Sequence, residues 1–136
     1  MKSVGVRVLI ALVIMAALGV GPTAAADGPI PLKQGVYVSE GVPCAGATNA
    51  HRVYYEKLEK GYGLSWPHTA CEITQVQKKE NVYYLTERCV FKGVEGILTK
   101  HLTIAVKGET SFSILYDSLE QKNTKKKERA YRWCQD

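Results

Sequence analysis

Four cysteines, three histidines and a scatter of glutamates are the residues of this chain with the most chemistry to offer. His51, His68 and His101 are each a candidate general base. One of them beside Glu56, Glu72 or Glu87, with an arginine such as Arg88, would make a ribonuclease-like acid and base pair. Nothing in their spacing selects such a pair, and no serine sits in a Gly-x-Ser-x-Gly elbow. No glycine-rich phosphate loop occurs either, so no catalytic residue is assigned. Zinc sites place two cysteines a few residues apart, and Cys44, Cys71, Cys89 and Cys134 are spread far more widely. No metal and no cofactor is expected. The stretch from His68 to Cys71 lacks the second cysteine of a haem attachment motif.

The compartment explains the cysteines better. A basic start with Lys2 and Arg7 precedes the apolar run 8–20, and Ala24, Ala25 and Ala26 supply the small residues a signal peptidase requires. Residues 1–26 read as an export signal, and the mature chain begins at Asp27. The apolar run is shorter than the about 20 residues a membrane-spanning helix needs, and no second one follows, so no transmembrane segment is expected. No cysteine ends the signal, so a soluble periplasmic or secreted protein is expected, without a lipid anchor. In an oxidising compartment four cysteines of a small domain pair with one another. Loss of Lys2 and Arg7 lowers the formal charge from +5 to +3, which permits an acidic partner without demanding one.

The elements that must position these residues are strands. Residues 27–34, with Pro29 and Pro31, form an extended leader, and 35–136 form the disulfide-bonded β domain. Short runs rich in Val, Ile, Thr, Tyr and Phe occupy 36–39, 52–58, 63–66, 71–77, 81–91, 97–106, 111–116 and 129–134, with turn residues between them. Leu98, Leu102, Ile104 and Val106 share one face of their strand, while Thr99, His101 and Thr103 share the other. Phe112, Ile114 and Tyr116 repeat the alternation. The expected fold is all-β: about eight short strands in an antiparallel meander, closed as a single small barrel or sandwich and stapled by two disulfides. Residues 117–127 have no apolar stripe and read as a long polar loop.

A hairpin turning near Glu80 sets Cys71 opposite Cys89, at the roughly 4.5 Å Cα spacing of a non-hydrogen-bonded pair. Cys44 with Cys134 then ties the first strand to the last. Glu87 shares a face with Tyr83, Leu85, Cys89 and Phe91, which hints at a partly buried carboxylate with a basic partner near a sheet end. Neighbours such as Tyr54/Tyr55 and Tyr83/Tyr84 must point to opposite faces. Tyr55, Trp66 and Tyr84 are candidates for an outward recognition surface. Lys125, Lys126, Lys127 and Arg129 form the core of a basic run, a candidate grip on a polyanion or a solvated loop guarding a sheet edge. No specific nucleic-acid motif accompanies them.

The residue order 41–44, 46–50, 62–64, 68–71, 83–89 and 131–134, with its four cysteines, resembles a group of uncharacterised small exported proteins of Gram-negative bacteria. The resemblance spans nearly the whole mature chain and implies a periplasmic home, with no activity and no functional residues to carry over. Small periplasmic β proteins that inhibit lysozyme share the size, export and disulfides. Their serine and glycine motif has no counterpart here, and a charge of +3 opposes docking on a basic lysozyme. The leading expectation is a non-enzymatic binding or inhibitor module for a protein or an envelope polyanion. A small histidine and glutamate hydrolase, polyanion binding through 122–132 and a lysozyme-inhibitor-like role are the alternatives.

Overall fold

The computed structural model describes residues 28–119 and 128–135. The expected signal and Lys125, Lys126 and Lys127 lie outside the described residues. Eight strands form one antiparallel sheet: β1 (Gly35–Ser39), β2 (Arg52–Lys57), β3 (Tyr62–Ser65), β4 (Thr69–Lys79), β5 (Val82–Phe91), β6 (Leu98–Gly108), β7 (Ser111–Asp117) and β8 (Arg129–Cys134). Their order is β3-β2-β1-β8-β7-β6-β5-β4, a meander whose first and last chain strands pair, curled into a nearly closed barrel. The expected all-β architecture is present, with no α-helix among the described residues.

Strand alternation fills the interior. Tyr37, Val53, Tyr55, Leu64, Leu85, Leu102, Ile104, Phe112, Ile114 and Tyr131 form the core, with Phe112 edge-on to Tyr37 and stacked on Tyr131 at 5.3 Å. Tyr55 is therefore not a surface residue: its ring is fully buried and its hydroxyl donates to the Ile30 carbonyl at 3.3 Å. Residues 28–34 run as a series of bends, with Leu32 N–H donating to the Ile30 carbonyl, and they contribute to the core. Ile30 and Leu32 are buried and close the base of the barrel, where Lys33 N–H donates to the Glu109 carbonyl. Gly35, at φ +136°, permits Trp133 to lie against the backbone, and the indole N–H donates to Gln34.

Register shifts interrupt the β4–β5 ladder once and the β6–β7 ladder twice, and two of them adjust the faces. Across the β4–β5 hairpin the register shifts between Ile73 and Gln75, where the Thr74 hydroxyl donates to the Thr86 carbonyl, and beyond it Cys71 stands opposite Cys89. In β7 the extra residue Leu115 reverses the expected parity. Tyr116 turns outward and Asp117 turns inward, opposite Leu102.

Both expected disulfides are present. Cys44–Cys134 joins residues 90 apart in sequence and pins the β1–β2 connection onto the outer face of β1 and β8, forming a second small core with Val38 and Ala47. Arg132 secures the same connection by donating to the Val42 carbonyl at 2.7 Å. Cys71–Cys89 is buried beside the one seam that lacks a backbone ladder, between β3 and β4. There the Ser65 hydroxyl accepts from Cys71 N–H at 3.0 Å and donates to the Cys71 carbonyl. Gly63 allows the approach, since a Cβ would collide with the Cys71 carbonyl.

Gly63→Ala should accordingly cost about 1–3 kcal/mol in equilibrium unfolding, the range for forcing atoms into a packed interior. Gly61→Ala, whose Cβ would stay 3.8 Å from its nearest neighbour, should stay within about 0.5 kcal/mol of the parent.

Candidate functional site

The end of the barrel opposite Ile30 and Leu32 is built differently. Here β3, β5 and β7 end and β4, β6 and β8 begin, and the alternation that points Leu85, Leu102 and Ile104 into the apolar core points Glu87 and Lys100 inward as well. The two are directly opposite one another across β5 and β6. The bulge in β7 adds Asp117, and the start of β8 adds Arg129. Pro67 and His68 make the tight β3–β4 turn, closed by Thr69 N–H to the Trp66 carbonyl. His68 takes φ 65°, the left-handed position glycine usually fills, and the turn brings Trp66 over the opening.

The result is a cavity of about 180 Å³ lined by Trp66, Thr69, Phe91, Lys100, Asp117, Leu119 and Arg129. Lys100 Nζ lies 3.1 Å from Asp117 Oδ2 and 3.2 Å from the centre of the Trp66 ring, with both charged side chains largely buried. The pairing and the ring face offset part of the cost of removing an ammonium from water. Burial nevertheless lowers the Lys100 pKa from its ordinary value, against the opposing pull of Asp117 and Glu87. Glu87 is fully buried. Desolvation raises its pKa to about 7, outweighing Lys100 and the Leu64 N–H that donates to Oε1 at 3.2 Å. Its Oε2 finds no hydrogen-bond partner among the described residues.

The sequence-level expectation for Glu87 is thus met in kind: a buried carboxyl near a sheet end, with Lys100 as its basic neighbour. Trp66 and Arg129 come together at the cavity, Arg129 as part of its wall. Tyr84 is separate. It is exposed on the outer face, where with Tyr116, His101, Gln75 and Gln77 it lines a groove of about 240 Å³. The histidines do not assemble a catalytic pair: His101 faces outward near Thr86, and none of the three bonds to a glutamate among the described residues. Cys71, Cys89 and Glu87 cluster tightly enough to suggest a metal site, but both sulfurs are spent in the disulfide. Lys100 and Asp117 escaped the sequence reading. Lys100 has the same strand parity as Leu98, Leu102, Ile104 and Val106, a usable signal, whereas Asp117 faces inward only because of the bulge.

Compared with models of known protein families, with curated proteins and with solved structures, the chain matches none.

A carboxyl whose pKa is higher folded than unfolded binds its proton more tightly in the native state, so it stabilises below about pH 4.5 and this contribution is lost as pH rises toward 7. The unfolding free energy of the parent, measured relative to Glu87→Gln, should fall by about 3 kcal/mol between those limits. A flat difference across that window in denaturant titrations would show that Glu87 is ionised in the fold.

Proposed function

We propose that the protein is a non-enzymatic binding module of the periplasm or cell exterior, which seats one anchoring group of a macromolecular partner in the mouth of its barrel. The observation that carries this reading is the size and lining of the mouth cavity. At about 180 Å³ it falls below the roughly 300–1,000 Å³ of pockets that enclose a drug-sized ligand or cofactor, but it suits a single inserted side chain. Binding energy at protein interfaces concentrates in such desolvated pockets with aromatic and charged walls. Leu119 is exposed in the cavity wall, and Val94, Ile97 and Leu98 are exposed in and beside the β5–β6 connection at the same end of the strands. Two disulfides agree with an oxidising compartment. No helix among the described residues is long and apolar enough to cross a membrane.

The scattered histidines favour binding over hydrolysis. The polyanion reading depends mainly on lysines outside the described residues, and of its described members Arg129 is part of the cavity wall while Arg132 donates to the Val42 carbonyl.

The test is capture from periplasmic and host extracts on the immobilised oxidised protein, at low and moderate salt. A single partner retained at both salts, released at least about tenfold more readily by Leu119→Glu and unaffected by Tyr84→Ala, is the expected result. Capture indifferent to Leu119→Glu, or sensitive instead to Tyr84→Ala, would overturn docking at the mouth. A turnover activity that disappears when one of His51, His68 or His101 becomes Ala would overturn the non-enzymatic reading.

A further inference from the structure

The outer face of the sheet carries a second cavity, independent of the mouth. Cross-strand register sets Gln77, Tyr84, Thr103 and Tyr116 in one row over β4 to β7, with Gln75, Thr86 and His101 in the row beside it. Together they line a groove of about 240 Å³. The mouth is walled in part by Lys100, Asp117 and Arg129, and the groove beside the β2–β3 turn by Glu59, Lys60, Glu72 and Arg88. Here no carboxylate, ammonium or guanidinium takes part. A charged ligand would lose water without gaining an opposite charge, a cost that a neutral ligand does not carry.

The groups on offer are of two kinds. Tyr84 is half-exposed and makes no hydrogen bond or ring contact with another described residue, so its ring is open to a ligand. Tyr116 has an interaction of its own and serves only as the far wall, its Cα two strand spacings, about 10 Å, from that of Tyr84. Gln75 and Gln77 each present an amide with two N–H donors and an acceptor oxygen, and neither side chain is bonded to another described residue. A hydroxyl also donates and accepts, so a ligand rich in hydroxyls satisfies these amides and the Thr103 hydroxyl together. A proline-rich peptide brings acceptors without donors, and a single-stranded nucleic acid brings phosphates that nothing in the groove pairs. The Tyr84 ring adds dispersion contact for a flat C–H surface. Hydroxyls at the rim and C–H groups on the face are combined in a pyranose with equatorial substituents. We propose that this groove is a carbohydrate-binding site, taking one glucose-configured unit of a neutral glycan with its C–H face on Tyr84 and its hydroxyls toward Gln75, Gln77 and Thr103. At about 240 Å³ the groove is smaller than pockets that enclose a drug-sized ligand, roughly 300–1,000 Å³, and suits one ring of a chain that continues beyond it.

The probe is cellotriose, titrated into the oxidised protein while backbone amide, glutamine side-chain amide and indole N–H resonances are followed by NMR. Mannitol, hexaproline and a thymidylate hexamer are the comparisons: the first has hydroxyls without a ring face, and the others stand for peptide and nucleic acid. Cellotriose should shift the resonances of Gln75, Gln77, Tyr84 and Thr103. It should leave unmoved the indole of Trp66 in the mouth and that of Trp133, which donates to Gln34 near the base. One seated sugar unit of about eleven non-hydrogen atoms supports an affinity in the millimolar range. Tyr84→Ala should weaken binding about fivefold, and Tyr84→Phe, which keeps the ring, should stay within about twofold of the parent. Unchanged Trp66 and Trp133 resonances in each variant certify the fold. The proposal is overturned if cellotriose leaves the groove resonances unmoved or shifts Trp66 instead, or if Tyr84→Ala binds as well as the parent. Mannitol binding as tightly would remove the ring contact on which the site depends. Tighter binding of hexaproline or of the thymidylate hexamer at the same resonances would make the groove a peptide or nucleic-acid site and overturn the glycan.

Discussion

Closure between β3 and β4 is the constraint on which the barrel depends. Every other pair of neighbouring strands is held by a backbone ladder, but this seam is held by side chains and by close approach. The Ser65 hydroxyl supplies both a donor and an acceptor to Cys71, Gly63 removes the Cβ that would hold the strands apart, and Glu87 reaches from β5 to take the Leu64 N–H. An unpaired N–H buried here would cost about 1–3 kcal/mol, so the Glu87 carboxyl is part of the seam, while its strand neighbour Lys100 lines the mouth. Below the seam the outer half of β4 pairs with β5 alone, and its other edge has no ladder partner among the described residues. Its exposed Gln75, Gln77, Lys78 and Lys79, together with the bulge at Thr74, suit an edge that avoids pairing with other chains.

The two disulfides act on different parts of this arrangement. Cys71–Cys89 ties β4 to β5 behind the seam and fixes the strand that carries Glu87 against the strand that Ser65 grips. By the chain-entropy model a loop of 18 residues is worth about 3 kcal/mol. Cys44–Cys134 closes a loop of 90 residues, worth about 4–5 kcal/mol on the same model, but its local effect is to hold a long connection without strands against β1 and β8. In a small domain whose main core is modest and whose second core is smaller still, covalent closure substitutes for buried area.

Much of this was legible in the sequence because a strand's period of two is rigid. The strand positions, the all-β class and the pairing of Cys71 with Cys89 all follow from alternation and from a turn near Glu80. What failed were the features that break the period. Tyr116 was expected to face inward with Phe112 and Ile114, and one extra residue at Leu115 reversed it and delivered Asp117 to the cavity. Tyr55 was expected outside because alternation shows that Tyr54 and Tyr55 differ but not which of them is inside. The leader carries no pattern at all, and only the empty base of a curled sheet makes Ile30 and Leu32 core residues.

The contrast between the two ends of the barrel is the strongest argument for where function lies. The base is closed by aliphatic and aromatic side chains that bury area without desolvating charge. The mouth instead buries Glu87 and Lys100 and leaves Asp117 and Arg129 beside them, although the neighbouring positions on the same strands are Leu85 and Leu102. Replacing a buried ionic cluster with well-packed apolar groups is often neutral or stabilising, by about 1–4 kcal/mol. Replacing Lys100 and Asp117 together by apolar residues would therefore serve stability at least as well, whereas Glu87 has a structural task in accepting the Leu64 N–H. A sequence that follows the rules of packing through most of a barrel and departs from them in one cavity, at the end where apolar side chains are also exposed, has the pattern expected when binding rather than stability sets the residues.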